Sequence, residues 1–196
     1  MGIDYSFALV TEIDEAENLF RVLAGHVAPD YREQLLACLP FNADEPLRNA
    51  RDEADSKFTS DVCFSFLYPP DEQILGCTAS AESERVSGLI VVGCYWCRVQ
   101  VGQKLLLFNA QAATSGMSWL FEHSPSVRAT WSAMAKAANA LILLFDDEFV
   151  FSEVWPSPGR EPIESSLICN LKGPELDQHL LQTIKNAYID LPPHLM

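Results

Sequence analysis

Cys94 and Cys97, separated by Tyr95 and Trp96, form the chain's C-x-x-C. In thiol oxidoreductases that spacing does chemistry because the first sulfur sits at a helix N-terminus, where free amides and the helix dipole favour the thiolate. Here the pair lies inside an apolar run that reads as a strand, and residues three apart on a strand point to opposite faces. The two sulfurs are therefore expected to diverge and to be core cysteines, neither a redox pair nor two ligands of one zinc. The four histidines, His26, His123, His179 and His194, are distant in sequence from one another and from the cysteines. No metal and no organic cofactor is expected.

Asp146, Asp147 and Glu148 follow an apolar run, and carboxylates at a strand end serve as metal ligands or general bases in many enzymes. A solvated turn between two short strands accounts for the same three residues. Ser115, Gly116 and Ser118 open a helix whose free amides could hold an anion. The glycine spacing and lysine of a phosphate loop are missing, which leaves ordinary N-capping by Thr114 or Ser115. His123 beside Ser124 is not read as a catalytic dyad, since neighbours at a helix end do not face each other. Trp96, Trp119, Trp131 and Trp155 all occupy positions that their elements are expected to bury. No catalytic residue is assigned.

Charge bounds the partners. The chain of 196 residues has 13 Lys and Arg against 27 Asp and Glu, a formal net charge of −14. Residues 61–84 hold five acids and no base, whereas residues 85–145 hold five bases and the single acid Glu122. Such a field repels phosphate backbones and anionic lipid headgroups, so neither nucleic acid nor membrane is expected as a partner. The longest apolar stretches, residues 89–92 and 137–145, are shorter than the roughly 20 residues of a membrane span. Six cysteines, Cys38, Cys63, Cys77, Cys94, Cys97 and Cys169, fall mostly in apolar runs with no apolar leader before them, which predicts free thiols and a cytoplasmic location.

The elements that position these residues follow from periodicity. Alternation from Tyr5 to Val10 predicts a strand. Thr11 and Asp14 resemble a capping pair for a helix with Ile13, Ala16, Phe20, Leu23 and Val27 inward. Pro29 starts a second helix ending before Pro40, and a thin stripe over residues 42–58 predicts a surface helix. Residues 62–68 read as a strand stopped by Pro69 and Pro70, and residues 71–84 as a loop with a short strand near residues 74–78. Two long apolar strands, residues 89–101 and 104–112, turn at Gly102 and Gln103. Helices follow at residues 115–123 and from Ser124 and Pro125 onward, with Val127, Trp131, Met134, Ala135, Ala138 and Leu141 inward. Short strands at residues 141–145 and 149–155, a possible strand at 166–171 and a final helix from Pro174 complete the chain. Strands grouped in the middle with helices around them predict one α+β domain over residues 1–196, a central antiparallel or mixed sheet with helices packed mainly on one face.

Three function classes fit. The first is a non-enzymatic acidic binding or inhibitory protein, immunity-protein-like, that engages a basic protein partner. Its expected contacts are the carboxylates that cluster in sequence: Asp52, Glu53 and Asp55; Asp71 and Glu72; and Asp146, Asp147 and Glu148. The second is an enzyme or sensor of a small anionic molecule with a site built from scattered residues. Arg85, Arg98 and Arg128, among the few cations, would hold that ligand if they converge. The third is a subunit of a larger complex, which an exposed apolar patch would mark.

Overall fold

The computed structural model describes residues 5–36, 39, 62–77, 85–147, 151–156, 171–187 and 193–195. Its elements are β1 (Ser6–Glu12), a 3-10 turn (Ile13–Glu15), α1 (Ala16–His26), α2 (Pro29–Leu36), β2 (Val62–Tyr68) and α3 (Glu72–Cys77). There follow β3 (Arg85–Val86), β4 (Leu89–Val101), β5 (Leu105–Ala112), α4 (Ser115–His123) and α5 (Pro125–Ala137). The last are β6 (Ile142–Asp146), β7 (Phe151–Trp155), α6 (Gly173–Ala187) and a second 3-10 turn (Pro193–Leu195).

One seven-stranded sheet carries the order β2-β4-β5-β1-β6-β7, with β3 alongside β4. Every pairing is antiparallel, so the α+β architecture with an antiparallel sheet holds. β1 is buried along almost its whole length because both faces are covered. Phe7 and Leu9 enter a large core with Leu19, Phe20 and Leu23 of α1, Phe121 of α4, and Val127, Trp131 and Met134 of α5. Ala8 and Val10 enter a second core with Leu105, Leu107, Ile142 and Leu144, sealed by Leu176, Leu180 and Ile184 of α6. Helices thus pack mainly on one face, and α6 takes the other.

Trp131 anchors the larger core. Its ring stacks on Phe7 at 5.1 Å, and its Nε1–H donates to the Tyr68 hydroxyl at 3.0 Å. Satisfying that indole N–H is what lets so large an amphipathic ring be wholly buried.

The β4–β5 turn is held from outside the hairpin. Asp177 of α6 accepts from the backbone N–H of Gln103 and Lys104 through Oδ2, each at 2.9 Å, and from Leu105 through Oδ1 at 3.0 Å. Gly102 makes room for this, since a Cβ there would overlap Oδ1 of Asp177. One buried carboxylate therefore ties the final helix to the centre of the sheet.

Several expectations need correction. Residues 72–77 form α3 where a loop and short strand were expected, because Asp71 caps it by accepting from the Ile74 N–H at 2.8 Å. Thr11 does not cap a helix. β1 runs on through Glu12, and Thr11 is buried within it. Trp96 and Trp119 are 48% and 41% exposed, so only Trp131 of the described tryptophans is fully buried. The helix expected over residues 42–58 and residues 166–170 of the last expected strand lie outside the described residues.

Candidate functional site

Asp71 connects three elements. Besides capping α3, its Oδ2 accepts from the Ser124 hydroxyl at 2.6 Å and from the Ser126 N–H at 3.0 Å. Burial disfavours its charged form, but the hydrogen bonds from Ile74, Ser124 and Ser126 outweigh that and lower its pKa below the usual carboxylate value. Ser124 in turn accepts from the Val127 N–H at 3.1 Å as the N-cap of α5. The Ser124 hydroxyl is thereby committed to helix ends, and the His123 ring packs on Trp119 instead, 4.8 Å between centroids. No nucleophile arises from the pair.

The Asp71–Ser124 bond sets the start of α3 against the end of α4. Ile74 of α3 and Met117, Leu120 and Phe121 of α4 are buried. The opposite faces present Glu72 and Leu75 on α3, and Trp119, Glu122 and His123 on α4. Of the carboxylates read from the sequence, Glu72 is thus on the surface, whereas Asp71 serves as a joint between helices.

The acidic turn resolves differently from the expectation. Asp146 is the last residue of β6 and only 3% exposed, with Asp147 half-buried just beyond the strand. The Asp146 carboxylate is therefore not a solvated turn residue open to a docking protein. Asp52, Glu53, Asp55 and Glu148 lie outside the described residues.

The three arginines do not converge. Arg85 is exposed on the short strand β3. Arg128 of α5 lies over the Phe145 ring at 4.7 Å and donates through Nε to the carbonyls of Phe121 and Glu122, at 3.0 and 3.2 Å. It closes the end of α4 on the face covered by α5. Burial lowers its pKa, and the Glu122 carboxylate opposes that shift. Arg98, half-buried on β4, points to the other face of the sheet.

On that face the strands change character along their length. Under α6 it is apolar, and toward the opposite end it is polar. Trp96, Gln111, Ser6 and Asp146 are successive register partners across β4, β5, β1 and β6. Arg98 and Asn109 form part of the next row, and the Asn109 amide donates to the Ser6 hydroxyl at 3.0 Å. Ser6 is buried, while Arg98, Asn109 and Gln111 are half-buried. Arg98 and Asp146 thus lie on one face of the sheet, but three strand spacings separate them, about 14 Å at the usual distance between strands, so the structure does not join the two residues into one site. The sequence signal for this polar patch is the alternation of Arg98 and Gln100 late in β4 and of Asn109 and Gln111 late in β5, within strands that are otherwise apolar.

Cys97 is a buried cysteine whose Sγ lies 3.6 Å from the Tyr95 carbonyl, which agrees with a core cysteine. Nearby, Tyr68 and Tyr95 are fully buried, and burial raises the pKa of both hydroxyls. They remain protonated core residues and supply no base. Among the described residues no group of three or more His, Cys, Asp or Glu could hold a metal ion. No described helix is long and apolar enough to cross a membrane.

The fold and site together define an α+β protein with an antiparallel sheet and a helical face carrying exposed apolar and acidic side chains. No protein family, characterised protein or solved structure matches the chain.

Proposed function

We propose that this chain is a non-enzymatic acidic binding protein, inhibitory in the manner of an immunity protein, that engages a basic protein partner. The observation that carries the reading is the sign of its surface charge. The net charge is −14, and Asp14, Asp30, Glu33, Glu72 and Glu175 are exposed. Several arginines, in contrast, are engaged by the chain itself. Arg21 pairs with Glu17 at 2.6 Å, Arg32 donates to the Ala24 carbonyl at 2.9 Å, and Arg128 is held at the end of α4. A surface field of one sign accelerates encounter with a partner of the other and suppresses like-charged competitors. Cytoplasmic action fits the same reading, in which the exposed Cys77 and the buried Cys97 stay reduced.

The test is affinity purification from the source cells at low and high salt. A basic protein retained in stoichiometric amount and released by salt is the expected result. Retention of only neutral or acidic proteins, indifferent to salt, would sink the reading.

A second reading, recognition of a small anionic molecule, is favoured by one observation: Arg98 lies among half-buried amides beside the half-exposed Trp96. Such a ligand would perturb Trp96, so Arg98→Leu should abolish any fluorescence response to inorganic phosphate or carboxylates. A response that survives the substitution would contradict this site.

A further inference from the structure

Leu75 and Trp119 are two of the four large hydrophobic side chains exposed among the described residues, at 43% and 41%. The inward sides of the two helices are made by Ile74 on α3 and by Met117, Leu120 and Phe121 on α4. Leu75 and Trp119 thus keep a large part of their apolar surface in water, surface that a partner could still bury. Tryptophan is also the residue most enriched among those that dominate binding energy at interfaces.

The rim is acidic. Glu72 stands on the same side of α3 as Leu75, one turn away, and Glu122 lies one turn beyond Trp119. His123 packs against the Trp119 ring and lies 3.6 Å from the Glu122 carboxylate, which limits the positions open to the indole. The Asp71 bonds to Ser124 and Ser126 hold the start of α3 to the α4–α5 junction, and α3 packs beside α4, so the relative placement of the two helices is fixed before a partner arrives. Preorganisation of this kind lowers the ordering cost of association.

We propose that the α3–α4 face, centred on Leu75 and Trp119 and rimmed by Glu72 and Glu122, is where the basic partner docks. This rests on the reading above and adds the chemistry of the occupant: a segment with an apolar side chain flanked by lysine or arginine. The apolar side chain covers Leu75 and Trp119, and the cations meet the two carboxylates. A second copy of this chain fits poorly, because two surfaces with the same acidic rim and a net charge of −14 each repel one another.

The probe is a synthetic amphipathic helical peptide of lysine and leucine, titrated into the full chain at low salt and followed by amide chemical shifts. Shift changes should concentrate on α3 and α4. Trp119→Ser and, separately, Leu75→Ser should each weaken binding roughly tenfold or more. Glu72→Lys with Glu122→Lys should weaken it and flatten its salt dependence. Salt-dependent binding that maps elsewhere and ignores these substitutions overturns this docking face and leaves the basic-partner reading standing. Absence of any binding at low salt overturns both. Concentration-dependent dimerisation through α3 and α4 overturns the choice of occupant.

Discussion

Asp177→Ala should be among the most destabilising single substitutions in this protein. The carboxylate is 7% exposed and accepts three backbone N–H groups from Gln103, Lys104 and Leu105. A hydrogen bond to a charged acceptor contributes about 1.5–3 kcal/mol net, and removing the acceptor leaves buried donors unsatisfied. One carboxylate serves one turn, so the three bonds are not independent, and a loss of about 3–5 kcal/mol is expected rather than their sum. Against the 5–15 kcal/mol, roughly, that holds an ordinary domain folded, this is a large fraction. Asp177→Asn keeps an acceptor oxygen but opposes an amide N–H to the turn, and should fall between alanine and wild type. Gly102→Ala forces the carboxylate out of the turn by overlap, so it should cost less when Asp177 is already alanine. Urea unfolding of the two single variants and the double variant measures all of this. A loss below about 1 kcal/mol for Asp177→Ala, or strict additivity with Gly102→Ala, would refute the reasoning.

Asp71→Ala should lose about 1–2 kcal/mol, as expected of a helix cap, and should loosen α3 first in amide hydrogen exchange. The folded-state pKa of Asp71 is lowered, so its contribution is present above the unfolded value near pH 4, roughly, and fades as pH falls through the folded one. The difference between wild type and variant should therefore shrink on acidification, and a constant difference would show that Asp71 acts through packing instead. Tyr68→Phe removes the acceptor of the Trp131 indole N–H and should cost about 1–3 kcal/mol by denaturant unfolding, with no loss contradicting a buried, otherwise unsatisfied indole. Thiol titration in denaturant without reductant should find all six cysteines, with Cys77 reacting before Cys97 in the native protein. A count of four or two would mean disulfides.

Strong local signals carried over to the structure. Residues 62–68 form β2 as expected, Ser124 and Pro125 open α5, and Leu176, Leu180 and Ile184 face inward from α6. What the sequence hid depends on partners far along the chain. α3 has too few residues for a helical period, and its cap is an aspartate whose second oxygen is occupied more than fifty residues away by Ser124. Asp146 reads as a turn residue because it precedes two acids, yet the pairing of β6 with β1 sets it opposite Ser6 inside the sheet. Trp119 and Leu75 sit one position off the buried stripes of short helices, where a small angular error decides between core and surface. Asp177 looks like an ordinary helix acid until α6 is laid across the β4–β5 turn.

The central claim is recognition of a basic protein through an acidic surface, and the association rate with the partner recovered from the source cells tests it most directly. Stopped-flow measurement across ionic strength, with wild type and with Glu72→Lys combined with Glu122→Lys, separates electrostatic steering from shape-driven docking. The wild-type rate should fall by about tenfold or more as the Debye length shrinks from roughly 30 Å at 0.01 M salt to about 3 Å at 1 M. The reversed variant should start slower and depend less on salt. A rate that ignores both salt and charge reversal would contradict the claim.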